Sequence, residues 1–261
     1  MNRSHLFAAI VFFSALSTIQ AETISVHLED FQSSGVMGYT FNSTEVFYGS
    51  SGLFRLGTSD PVGPTASLLT NPEFGFCIDI QQDFSSTPSP YNVGALTTAN
   101  VPVNTVSGPI TAERAALIEQ LWAKYYDPTW ELPGPYSNTQ ITDAIAFHAM
   151  LFEIATDFDG VNLSSLNLSS GNFTLQSGYI LDHNDPSQAL PVVSVAQSYL
   201  DGLSLSYNGP LPNLLALTNP DFQDYIVQVA VPEASTMTML LVGSSVLGVG
   251  YGWRRRRGPS A

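Results

Sequence analysis

Thiol or imidazole chemistry in this 261-residue chain comes down to Cys77 and His148. Cys77 lies in Phe74-Gly75-Phe76-Cys77-Ile78-Asp79-Ile80, whose alternation is that of a half-buried strand. There Cys77 points away from the Phe74, Phe76, Ile78 and Ile80 face and shares its own face with Asp79. Stepping about 100° per residue puts Ile141, Ile145, His148 and Phe152 on one helical stripe, so His148 belongs to a buried face. A Cys–His pair within hydrogen-bond reach is the minimum of a thiol hydrolase. No cysteine-protease signature surrounds Cys77, however, and nothing in the chain identifies an oxyanion hole. Each residue also has a plain structural reading: a small apolar core side chain for Cys77, a hydrogen-bonded core imidazole for His148. A lone cysteine excludes any internal disulfide. Asp157, Asp159, Gly160 and Asn162 form part of an oxygen-ligand loop for calcium. They lack the spacing and terminal Glu of an EF-hand loop, and a helix-ending turn is the default reading. No cofactor is called for.

The elements that must position these residues read as strands, then helices, then strands. Ile24, Val26 and Leu28 alternate like Phe74 to Ile80, and Tyr225 to Val231 is a short apolar run fit for a last strand. Thr111 can cap a helix over Ala112–Tyr126, with Glu113 in its first turn and Pro128 beyond its end. A second helix is predicted from about Thr139 to Thr156. A third, from Pro191 to about Asp201, sets Val192, Val195, Ala196 and Tyr199 on one stripe, with Gly202 as its stop. Ser85 to Asn104, with its prolines and small polar residues, reads as an exposed loop. The expectation is an α+β body, a β-rich sandwich or barrel with a three-helix insert, over residues 22–230.

The two ends differ from this body. Arg3 precedes an apolar run from Leu6 to Leu16, and Ala21 offers a small residue for cleavage, so residues 1–21 read as a secretory signal peptide. Met237 to Trp253 are 17 uncharged residues, which as a helix span roughly 25 Å, a little short of a ~30 Å hydrocarbon core. Arg254, Arg255, Arg256 and Arg257 follow and would hold the C-terminal end in the cytoplasm, leaving the body outside. Setting aside Glu233, Arg3 and those four arginines, Glu22 to Ala230 holds 21 acids against Arg55, Arg114 and Lys124, a net charge of −18. Such a surface repels phosphate backbones and excludes nucleic acid as a partner.

Val231-Pro232-Glu233, the Ser235-Thr236 that follow, the apolar stretch and the basic end resemble, in that order, the PEP-CTERM sorting signal over 231–257. Ala234 stands where the motif has its second proline. The resemblance implies a transient membrane partner, an exosortase-type processing protease, and final placement on the cell surface or in extracellular matrix beside exopolysaccharide. The body is similar to thioester-domain-like proteins. Phe76-Cys77-Ile78-Asp79 looks like that family's cysteine strand, and Ala115-Ala116-Leu117-Ile118-Glu119-Gln120-Leu121 like its first helix. Phe147-His148-Ala149-Met150-Leu151-Phe152-Glu153-Ile154 is similar to its hallmark helix, usually Leu-Gln-x-Ala-Ile-Trp-Glu-Ile. In that family the strand cysteine and helix glutamine form an internal thioester that acylates an amine on a partner, making a covalent adhesin. Here His148 takes the glutamine position, and an imidazole has no carboxamide to give. Gln140 is two turns, about 12 Å, away along the helix, and an extended strand would hold Gln81 and Gln82 away from Cys77. The resemblance thus implies the scaffold without its covalent chemistry: a non-enzymatic adhesion or exopolysaccharide-associated module.

Overall fold

The computed structural model describes residues 21–103, 106–182 and 184–229. The signal-peptide run from Arg3 to Leu16 and the tail from Val231 to Arg257 lie outside the described residues. Within them no helix is long and apolar enough to cross a membrane.

The described residues form ten strands and three α-helices. The strands are β1 (Thr23–Phe41), β2 (Phe47–Val62), β3 (Glu73–Cys77), β4 (Ser89–Ala95), β5 (Asn100–Val103), β6 (Val106–Pro109), β7 (Phe173–Tyr179), β8 (Ala189–Leu190), β9 (Leu214–Thr218) and β10 (Tyr225–Gln228). The helices are α1 (Ala112–Tyr125), α2 (Asn138–Asp157) and α3 (Val192–Asp201). The sheet order β2-β3-β10-β9-β4-β1, together with a direct β1–β2 pairing, closes a ring of six antiparallel strands. Of the two architectures expected, sandwich or barrel, the pairing gives the barrel, which leaves no free edge in the ring. Beyond the ring β1 continues, through register shifts, into a ladder with β7 and then β8. β5 and β6 form a separate ribbon.

Residues directly opposite one another across a ladder share a face of the sheet. Cys77 opposes Tyr225, which opposes Leu217, and Phe54 opposes Gly75, which opposes Val227. On that face the Tyr225 ring meets Phe54 at 6.0 Å and Tyr91 at 5.9 Å, although β10 is bonded to neither of their strands. These rings fill the barrel. The opposite face carries Phe76, whose ring meets Phe147 of α2 at 4.9 Å and Trp122 of α1 at 5.6 Å. The helical layer therefore covers the outside of the wall that holds Cys77.

The helices follow their local signals. Thr111 Oγ1 accepts from Arg114 N at the start of α1. Ser137 and Gln140 form a reciprocal capping box on α2. In α3, Val192 and Ala196 are buried as the stripe requires. The three helices are not one insert, because β7 and β8 come between α2 and α3.

Two expectations need correction. Ser85–Asn104 is not a loop: β4 lies inside it as a wall of the barrel, and Tyr91 is buried. Pro90 is tolerated because β4 pairs with β9 only from Asn92 onward. The Phe74–Ile80 segment is not half-buried: Phe76, Cys77, Ile78 and Asp79 are all buried, since barrel interior and helices cover both faces, and the strand itself ends at Cys77.

Candidate functional site

Cys77 and His148 meet. The Cys77 Sγ lies 3.2 Å from His148 Nε2, and both side chains are buried. β2 and β3 are paired at Phe54–Gly75, and two steps further along that register Gly52 would stand opposite Cys77. At that point the imidazole takes the place of the direct ladder bond. Gly52 N donates to His148 Nδ1 at 3.2 Å, and His148 Nε2 lies 3.0 Å from the Cys77 carbonyl oxygen. Since a peptide N–H only donates, Nδ1 is the acceptor, and the neutral ring carries its proton on Nε2. Ser51 Oγ, 3.0 Å from Nδ1, donates to the same nitrogen. His148 thus stitches β2 to β3 where the barrel wall opens.

Gly52 is fixed by this arrangement. Its φ is +125°, and a Cβ there would sit 2.7 Å from Ser33 O and Ser34 Cα of the bulged neighbour β1. The imidazole stacks on Phe152 at 4.6 Å and meets Phe54 and Phe76 edge-on. Burial in this aromatic nest pushes the His148 pKa down to about 4. Burial, then the charge of Asp79, pushes the Cys77 thiol well above its ordinary range. The pair is therefore neutral on both sides, the opposite of the thiolate–imidazolium pair of a cysteine nucleophile.

The other sequence candidates fall elsewhere. Asp157 ties two elements together. Its carboxylate accepts from Asn172 N and Nδ2 and from Phe173 N, pinning the start of β7 to the end of α2. Asp159 Oδ1 accepts from Val161 N and Asn162 N, and its Oδ2 takes the Asn162 carboxamide. Both carboxylates are filled by N–H donors, and the described residues contain no group of three metal-ligating side chains. The Gln140 carboxamide is spent in the cap of α2. Asp79 and Asp224 lie buried at the Cys77 end of β3 and β10, where burial raises the Asp224 pKa to about 6. Asp224 accepts from Asn219 N and Asn100 N, so it ties loops together.

Where the wall opens, a cavity of about 260 Å³ runs in from the surface. Phe54, Cys77, Phe152 and Met37 form its floor, and Tyr48 and Phe84 are exposed at its rim. Gln82 and Gln223 also line it. Sequence reasoning missed this cleft, because its residues come from five separated places in the chain with no common spacing.

The tail accounts for the handling of the chain. Residues 230–257 match the PEP-CTERM protein-sorting motif. The motif implies membrane passage, a processing partner of the exosortase type, and sorting towards the cell surface. Comparison with curated proteins and with solved structures gives no match.

Proposed function

We propose that the chain is an exported protein, held transiently in the membrane by its tail, whose barrel serves on the cell surface or in the extracellular matrix as a non-enzymatic attachment module. The observation that carries the non-enzymatic part is the bonding of His148. Nδ1 already accepts from Gly52, and Nε2 carries the proton, so the ring has no free lone pair with which to take the Cys77 proton. On the thioester-domain-like reading, residue 148 and Cys77 would meet where such a scaffold joins its cysteine to its helix. With an imidazole in place of a carboxamide, that join is a hydrogen bond rather than an acyl bond.

Intact mass of the mature protein before and after thiol alkylation tests this reading. The expected result is the full mass, with one thiol that alkylates freely only on unfolding. A mass short by one ammonia, with Cys77 unreactive until an amine is added, would overturn it in favour of a covalent adhesin. The sorting part has its own check. Deleting Arg254–Arg257, or replacing Pro232-Glu233, is expected to leave the protein uncleaved or mislocalised. Unchanged fractionation and mature mass would refute it.

A further inference from the structure

We infer that the cleft beside Cys77 binds the end of a neutral saccharide. This rests on reading the body as a binding module, and it names the chemistry of what is bound. The first observation is a pair of unmet acceptors. Gln82 and Gln223 line the cleft, and each turns its carboxamide nitrogen to a backbone carbonyl, of Pro220 and Asp79 respectively. Those bonds fix which atom of each carboxamide is which. The two Oε1 atoms are buried and have no hydrogen-bond partner among the described residues. Neither atom exposes surface in this conformation, and a small turn of each side chain into the cleft would present it to a donor from outside the protein.

The second observation is the aromatic surface around them. Phe54 and Phe152 present rings at the floor, and Tyr48 and Phe84 stand at the rim, each 43% exposed. Phe31 meets Phe54 at 5.3 Å and Phe84 at 5.9 Å, which holds floor and rim together as one surface. Rings of this kind pack against C–H faces. A ligand that offers hydroxyl donors along its edge and an apolar C–H face is a sugar ring.

Charge narrows the class further. Asp83 is the one charged residue among the described residues lining the cleft, and the body around it carries −18. An anionic sugar finds no cation there and is repelled. A cavity of about 260 Å³ is below the ~300–1,000 Å³ of sites for drug-sized ligands, so it takes one ring, the end of a chain, rather than a long segment.

Calorimetry on the purified full chain, kept in a zwitterionic detergent with no sugar headgroup, tests the assignment. The probes are cellobiose, lactose and diacetylchitobiose, with glucuronic acid as the charged control and indole as an apolar one. At least one neutral disaccharide is expected to bind and glucuronic acid to fail. Gln223→Leu and Phe84→Ala are each expected to weaken binding about tenfold, the cost of one hydrogen bond or ring contact. Both keep their unfolding midpoints, and Leu205→Ala, in another groove, leaves binding unchanged. No binding by any neutral disaccharide, binding that the two cleft variants do not alter, or binding of indole alone would each overturn it. Cleavage and fractionation of the tail variants are read separately, so a failure of the sorting assignment leaves this result standing and the reverse.

Discussion

Two polar clusters meet at Cys77 and differ in one respect. Around His148 every hydrogen-bonding group is used by the protein itself: Gly52 N and Ser51 Oγ on one ring nitrogen, the Cys77 carbonyl on the other. In the adjoining cleft, two buried carboxamide oxygens are left over. The residues that promised reactivity in the sequence turn out to be saturated, and the two glutamines are the unsatisfied ones. Saturation is what a barrel wall needs. A group held for a ligand must keep some bonding capacity free.

The strongest way to break this contrast is to remove the stitch. His148→Ala empties a fully buried site and leaves Gly52 N and the Cys77 carbonyl without partners, at a cost of about 4 kcal/mol. Urea denaturation of the variant measures that loss. A change below about 1 kcal/mol would show that His148 does not hold the wall, and a catalytic reading would regain force. Gly52→Ala attacks the same point from the backbone. It combines a positive φ with a 2.7 Å clash against Ser33 O and Ser34 Cα, and about 3 kcal/mol is expected. Wild-type stability in that variant would mean that β1 yields there.

Proton linkage sharpens the contrast from another side. The folded His148 pKa, about 4, lies below the ordinary 6.5, so the unfolded chain takes up a proton first as pH falls. Its contribution is complete above pH 6.5 and is lost progressively down to about pH 4, a span worth of order 3 kcal/mol. Glu153 works in the opposite sense. Buried in α2, with Oε1 accepting from Asn167 N and Oε2 without a partner among the described residues, it has its pKa raised by burial to about 8. Its contribution is full below pH 4.5 and is lost as pH rises to about 8. Glu153→Gln is expected to flatten the alkaline limb of a stability–pH profile and leave the acid limb in place. An unchanged alkaline limb would assign that loss to other groups, Asp224 among them.

How much of this was legible in the sequence depends on how local the determinant is. Helices carry their own punctuation, and Thr111, Pro128 and Pro191 marked α1 and α3 to within a residue or so. His148 was placed correctly on a buried face, but almost all of α2 is buried, so the stripe had no polar side to contrast with. The barrel was harder to read. In β2, Ser51 to Phe54 are consecutively buried, because one face lines the barrel and the other meets α2, and the period-2 signal disappears. β4 looked like a loop because Ser89 and Pro90 open it. The bond from Gly52 to His148 joins residues 96 apart in sequence, and no spacing rule reaches that far. The acidic spacing around Asp157 is ambiguous for a related reason: an Asx turn and an ion site use the same short pattern, and the donors that reach Asp157 come from Asn172 and Phe173, beyond that spacing.

The smallest effect on stability is predicted for the cleft itself, and it is the most telling for the contrast. Tyr48 and Phe84 are each 43% exposed, so replacing either by Ala is expected to shift folding stability by no more than about 0.5 kcal/mol. If the cleft were only a packing defect beside the stitch, the Ala variants would behave like the wild type in every assay. If it is held open for a ligand, Tyr48→Ala keeps its urea midpoint while disaccharide binding weakens. The wall and the cleft would then be separable by mutation although they share Cys77. A Tyr48→Ala protein that loses stability as heavily as His148→Ala would deny that separation, making the aromatic rim part of the barrel's own support rather than a surface kept for something else.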